Sequence, residues 1–284
     1  MRFCRFGHTG RELPGLVDES GRIRDLSAII PELDAEQLSP ARLEALGRVA
    51  VDDLPVVEGN PRLGVPYRGV SKFVCIGLNY SDHAAEAGLA VPKEPIIFLK
   101  ATSAISGPDD DIIQPPHSTQ LDWEVELGVV IGTRAQHVSE ADALDHVAGY
   151  CVVNDVSERA FQMQSSQWDK GKGCDTFGPI GPWLVTKDEV GDPQMLDMWL
   201  DVNGVRRQAG NTRTMIFSVR EIVSYCSRYM TLLPGDIIAT GTPPGVGMGI
   251  KPEPVWLQCG DVVELGITGL GSQRQRISPW RRSM

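Results

Sequence analysis

The sequence predicts an α+β fold that is mostly β. Short runs with alternating apolar and polar residues outnumber segments with a helical period. No strand–helix unit repeats along the chain, as a doubly wound sheet would require. Strong hairpin signals such as Asn203-Gly204 separate alternating runs. At 284 residues the chain suits one large domain, or a main domain with a smaller one. Residues 1–68 read as a small N-terminal α/β domain and 69–284 as the larger one, with the Pro- and Gly-rich stretch 57–69 as linker.

In chain order, 1–7 reads as a strand, and 14–27 as a hairpin turning near Ser20-Gly21. A helix over 40–49 follows, with Ser39 as cap. Residues 71–80 form a strand that runs into a polar turn. Ser81 then caps a short helix carrying His83 and Glu86, three apart and so on one face. Gly88, Pro92 and Pro95 end that helix quickly; a short helix between breakers is weakly held and able to move with a ligand. The stretch 95–108 is a strand and turn, and Asp109, Asp110 and Asp111 open an acidic, solvated loop. A strand over 121–132, a helix over 139–146 capped by Ser139, and a strand from 149 that meets polar residues at Asp155 come next. A Gly- and Lys-rich loop leads from 168 into another strand, then a hairpin over 196–210 and an amphipathic helix over 214–229. Residues 232–249 give a turn, a strand and a glycine-rich loop, and short strands end the chain.

The chemistry gathers around 121–132, LDWEVELGVVIG. Trp123, Val125, Leu127, Val129 and Ile131 alternate with Glu124, Glu126, Gly128 and Val130, so both glutamates leave the same face of a strand. Like charges that close repel, and an apolar strand is a costly place for them; a cation between them removes both problems. The competing reading is an exposed polar face on an edge strand. With Asp155, Glu124 and Glu126 give three oxygen donors suited to a hard cation such as Mg²⁺ or Mn²⁺. His83 and Glu86 suit a base and its orienting carboxylate, against the alternative of an ordinary surface pair. Lys170 and Lys172 bring cations that could face a substrate carboxylate or a developing enolate. The loop from Thr240 to Gly247 offers hydroxyls and backbone N–H groups to an anion, although such a loop is often only a turn.

A net charge of −10 argues against nucleic acid and anionic membrane surfaces. No apolar run approaches the ~20 residues of a membrane span. Six scattered cysteines without CxxC spacing suggest neither zinc nor a disulfide framework and fit a reducing cytoplasm.

The motifs GLNYSDHAAEAG, LDWEVELGVVIG, GYCVVNDVSER, GKGCDTFGPIGPWLV and PGDIIATGTPPGVG, in that order over about 70–277, resemble the fumarylacetoacetate hydrolase superfamily. The resemblance implies a β-roll-like catalytic domain and a divalent-metal enzyme acting on small 2-oxo acids, commonly as a homodimer. By the family pattern Glu124, Glu126 and Asp155 hold Mg²⁺ or Mn²⁺, His83 and Glu86 form the lid dyad that activates water, and Lys172 is the active-site lysine. Thr242, Arg159 and Gln162 fall where substrate contacts occur. The implied reaction is hydrolysis of the C3–C4 bond of a 2,4-diketo acid, of the 2,4-diketo-3-deoxy sugar acid type, to pyruvate and a carboxylic acid. Ureidoglycolate lysis, oxaloacetate decarboxylation and 2-oxo acid isomerisation stand as alternatives on the same site. A metal-binding protein without turnover is the alternative from outside enzymology.

Overall fold

The computed structural model describes residues 1–281 apart from Leu89; residues 282–284, the end of the larger expected domain, lie outside the described residues. The strand Val125–Ile131 is buried along its whole length. It lies inside a ten-stranded sheet whose main path runs Ile23–Asp25, Leu13–Val17, Arg2–Phe6, Gly178–Thr186, Val147–Asn154, Val125–Ile131, Ile237–Ala239, Phe73–Gly77, Ile96–Lys100. Second to it is a five-stranded sheet in the order Val205–Asn211, Asp197–Val202, Val262–Ile267, Gly271–Pro279, Ile112–Gln114.

Period-two alternation in the central strand separates two cores. Val125, Leu127, Val129 and Ile131 pack into one, together with Leu200 and Leu265 of the five-stranded sheet and Ile222 and Val223 of the helix Val219–Tyr229. Val130 turns the other way, into a second core with Phe3, Leu16, Cys151 and Ile237. On that face a Cβ at Gly128 would meet Val153 at 2.8 Å and Cys151 at 2.9 Å, so the strands pack there at a distance only glycine permits. Both faces are therefore apolar, each buried Val, Leu or Ile contributing roughly 1.5–3 kcal/mol. The two glutamates are thus held inside the protein, and the edge-strand reading is excluded.

The N-terminal strands extend this same sheet: Arg2 and Phe3 pair with Val185 and Leu184. The boundary expected at 68–69 falls just before the strand Phe73–Gly77, and Phe3 and Phe73 lie in one core. Asp110, read as solvated, is instead held by Arg62 at 2.6 Å, tying the N-terminal region to the body.

Several local expectations differ in detail. The 121–132 strand is interrupted: Leu121–Asp122 pairs with Ser157–Glu158, and the ladder restarts at Val125. Ser39 precedes the helix Pro40–Gly47 but makes no side-chain cap. Ser81 is the first residue of the helix Ser81–Ala87, not its cap, and its hydroxyl bonds the Thr214 carbonyl. Only Ala143–His146 is helical near 139–146, because the Ser139 hydroxyl bonds Asp142 in a local turn. The helix expected from 214 starts at Val219, where Ser218 and Glu221 form a capping box. Residues 169–172, read as loop, form a helical turn.

Candidate active site

Strand register brings the three carboxylates together. The antiparallel pairing of Val125–Ile131 with Val147–Asn154 sets Val153 against Glu126 and Asn154 against Val125. One residue on, the Asp155 N–H donates to the Glu124 carbonyl at 2.9 Å. Glu124, Glu126 and Asp155 are all buried, and one carboxylate oxygen from each lies within 4.8 Å of the others.

Three cations surround them. Lys172, at the end of the turn Asp169–Lys172, donates to Glu124 Oε2 at 2.6 Å and to Asp155 Oδ2 at 2.7 Å. Its approach depends on Gly171, where a Cβ would meet Gln162 and the Glu158 carbonyl at 2.6 Å. Arg159 reaches Glu124 Oε1 at 2.5 Å, Asp122 Oδ2 at 2.9 Å and Gln162 Oε1 at 2.9 Å. Lys100, fully buried, donates to Asp155 Oδ1 at 2.5 Å and to the Val156 carbonyl at 3.0 Å.

These charges divide the carboxylates. Burial alone would raise the Glu124 pKa, but Lys172 and Arg159 outweigh it and hold the group well below the usual carboxylate range. Glu126 goes the other way. Burial, then the charges of Asp155 and Glu124, push it well above that range. Among the described residues its hydrogen-bond donor is the Gly241 N–H at 2.8 Å. Burial disfavours the Lys172 ammonium, but Asp155 and Glu124 more than compensate and keep it charged. Three hard oxygen donors, one of them short of positive partners, fit a divalent cation.

Over this centre stands the helix Ser81–Ala87, closed by Gly88 in the left-handed conformation. His83 Nδ1 lies 3.1 Å from Glu86 Oε2. Glu86 also accepts the Gly245 N–H, at 3.1 and 3.2 Å to its two oxygens, so the helix is tied to the glycine-rich loop. Gly245 has φ +103°, and a Cβ there would meet the Arg207 carbonyl at 1.9 Å, so no other residue fits.

A pocket of about 240 Å³ is lined by His83, the three carboxylates, Arg159, Gln162, Lys172 and Thr242. The Thr242 hydroxyl is committed to the Val125 carbonyl at 2.9 Å and held by Gln208 at 2.8 Å. Lys170 does not join them: it is exposed, and its ammonium bonds Gln164 at 2.9 Å. Sequence reasoning missed Lys100, Asp122, Phe98 and Trp168. The Lys172 ammonium lies 5.2 Å from the Phe98 ring centre, and Trp168 packs edge-on against Phe98. A lysine closing an apolar strand was the available signal for Lys100.

A buried carboxylate centre in a two-sheet fold, with a histidine on a short helix facing the same pocket, has the make-up of an enzyme active site. The pattern of the family described as fumarylacetoacetate (FAA) hydrolase C-terminal matches residues 72–278. The chain is 58% identical, over 99% of its length and 97% of the relative's, to 2,4-didehydro-3-deoxy-L-rhamnonate hydrolase of Sphingomonas sp. (strain SKA58). Among solved structures it is similar to fumarylacetoacetate hydrolase from psychrophilic Exiguobacterium antarcticum, with TM-score 0.88, 37% identity, and 99% and 100% of the two chains covered. It is also similar to maleylpyruvate hydrolase from Sphingobium sp. SYK-6, solved with manganese (II) ion and pyruvate, with TM-score 0.82, 30% identity and the same coverage. The chain belongs to the fumarylacetoacetate hydrolase family, and it is a hydrolytic enzyme. No helix among the described residues is long and apolar enough to cross a membrane.

Proposed function

We propose that this enzyme hydrolyses the C3–C4 bond of a 2,4-diketo-3-deoxy sugar acid, such as L-2,4-diketo-3-deoxyrhamnonate or -fuconate, to pyruvate and a carboxylic acid. The observation that carries the proposal is that His83, three buried carboxylates and Lys172 face one small pocket. The name of the relative from Sphingomonas supports the substrate class. Glu124, Glu126 and Asp155 would hold Mg²⁺ or Mn²⁺; the Sphingobium enzyme, solved in complex with manganese (II) ion and pyruvate, supports that choice. When bound, the ion supplies Lewis-acid stabilisation of the oxygens of a 2-oxo carboxylate.

The residues then divide the work. Glu86 holds His83 through Nδ1 and leaves Nε2 free to take a proton from water. The resulting hydroxide adds to the C4 carbonyl. Collapse of that adduct forms the carboxylic acid and breaks C3–C4, and the bonding pair becomes the pyruvate enolate. Lys172, kept charged by its carboxylate neighbours, faces that negative charge. Protonated His83 returns the proton to C3. Arg159 and Gln162, hydrogen-bonded to one another, and Thr242 position the substrate from the pocket wall.

Incubation of the Mg²⁺-loaded enzyme with a 2,4-diketo-3-deoxy sugar acid, ureidoglycolate and oxaloacetate in parallel tests the reading. Pyruvate should appear fastest from the diketo acid. Absence of pyruvate from every diketo acid tried, with turnover of either of the others, overturns it. We further infer a cytoplasmic homodimer from the family resemblance; sedimentation of the purified protein decides its mass.

A further inference from the structure

We propose that Asp122 is a positioning residue that couples the His83–Glu86 helix to the carboxylate centre. Its side chain is fully buried and takes four donors. Oδ1 accepts the N–H groups of Trp123 at 2.8 Å and Gly247 at 2.6 Å. Oδ2 accepts Arg159 Nε at 2.9 Å and the Met248 N–H at 3.1 Å. Arg159 spends another nitrogen on Glu124, at 2.5 Å. The 247–248 amides belong to the loop whose Gly245 N–H holds Glu86, and the neighbouring Trp123 indole fixes the Gly245 carbonyl at 3.1 Å. A Cβ at Gly247 would meet Asp122 Oδ1 at 2.7 Å and the Val255 carbonyl at 2.1 Å, so the loop approaches this closely only because glycine stands there.

A continuous path therefore runs from Glu124 through Arg159, Asp122 and the loop to Glu86 and His83. Asp122 is its one shared node. It needs both oxygens as acceptors, Oδ1 serving the loop and the adjoining Trp123 N–H, Oδ2 serving loop and guanidinium together. Asparagine replaces one acceptor by a donor, which faces either the Gly247 N–H or Arg159. One side of the path must then let go. The buried donors left behind keep no partner, which is the costly half of losing a hydrogen bond.

The coupling is read first without substrate or metal, by amide hydrogen exchange. In Asp122→Asn, residues 81–88 should exchange about tenfold faster, the size of one lost hydrogen bond. The central strand 125–131 should keep its protection, and Glu86→Ala, which removes the acceptor of the Gly245 N–H, should give the same pattern. Binding of Mn²⁺ alone should weaken roughly tenfold, as when a ligand loses its orienting partner. For kcat, the losses from Asp122→Asn and Glu86→Ala should not multiply in the double variant, because both cut one path. Unchanged exchange at 81–88 in Asp122→Asn, or losses that multiply, overturns the proposal. Should Asp122→Asn fail to fold, Met248→Pro deletes one donor from the exposed side, and unchanged exchange at 81–88 there counts equally against it. The kinetic and metal arms rest on the proposed reaction and the exchange arm does not, so the two readings fail separately.

Discussion

The Lys172 ammonium lies 2.6 Å from Glu124 Oε2 and occupies oxygens that a divalent cation would also use. Two roles follow from one position. In the metal-free protein the lysine compensates buried negative charge, and in the proposed reaction it would face the enolate.

Lys172→Met separates these roles. Without metal, the variant leaves Glu124 with Arg159 and Asp155 with Lys100 as remaining partners, so the loss of stability should stay below the roughly 3–5 kcal/mol of a buried charge left wholly unpaired. Urea unfolding in EDTA should show that loss. With Mn²⁺ the variant should bind the ion as well as the parent or better, because the competing ammonium is gone. Its kcat should nevertheless fall by roughly 10²–10³-fold. Loss of Mn²⁺ affinity in parallel with kcat would make the lysine a structural support only.

The His83–Glu86 pair gives a different signature. Its side chains are 12% and 27% exposed and lie on the short helix Ser81–Ala87, so the packing lost on truncation is local and outside the two main cores. His83→Ala should lower kcat by about 10²–10⁴-fold with small changes in KM and melting temperature. Glu86→Gln should give a smaller kcat loss, since the amide can still bond His83 but no longer favours its charged form. A KM effect that exceeds the kcat effect would assign the pair to binding instead.

If Glu126 holds the ion as proposed, metal binding and pH are linked through it. Its pKa in the folded, metal-free protein is raised above the ordinary 4.5, with burial the first cause and the Asp155 and Glu124 charges behind it. Below 4.5 both folded and unfolded chains carry the proton, and the group is neutral toward stability. As pH rises past 4.5 the unfolded chain releases the proton first, so the metal-free protein loses stability until the folded group ionises. A bound cation cancels that loss and displaces the proton. The melting-temperature gap between Mn²⁺-loaded and EDTA-treated protein should therefore widen as pH rises from about 5 to 8. A gap independent of pH would show that Glu126 does not take up a proton in the metal-free state. Glu126→Gln should flatten the dependence.

Much of this site was legible because its chemistry sits in short local motifs. Glu124 and Glu126 are two apart, His83 and Glu86 three apart, and Asp155 marks the end of an apolar run. What escaped depends on non-local register. Lys100 reads as an ordinary strand-end lysine until the fold sets it against Asp155, fifty-five residues away. Asp122 looks like one more acid beside Glu124 until the loop at 247–248 closes on it. By residue type and spacing alone Lys170 and Lys172 were indistinguishable in a stretch read as loop, and only the family pattern singled out Lys172. In the helical turn they in fact form, residues two apart point about 200° from each other, so one faces the carboxylates and the other solvent. The two cores were likewise half visible: alternation identified the strand, but not that both of its faces are covered.

Tail preference follows from the pocket wall. Beyond the carboxylates and the polar residues His83, Arg159, Gln162, Lys172 and Thr242, the lining is mostly apolar, with Phe98, Trp168, Met163 and Met248, the two methionines 70% and 43% exposed at its rim. Among the described residues lining it, the cations Arg159 and Lys172 are both engaged by Glu124. A substrate tail carrying a second carboxylate would lose hydration there without gaining a charged partner. Short uncharged tails should therefore show kcat/KM at least tenfold above tails ending in a carboxylate, with otherwise matched 2,4-diketo acids. Met163→Lys places a free cation at the rim and should narrow that ratio, chiefly by lowering KM for the acidic substrate. If the parent enzyme handles both tails equally, the apolar wall does not touch the tail, and selectivity must come from elsewhere in the pocket.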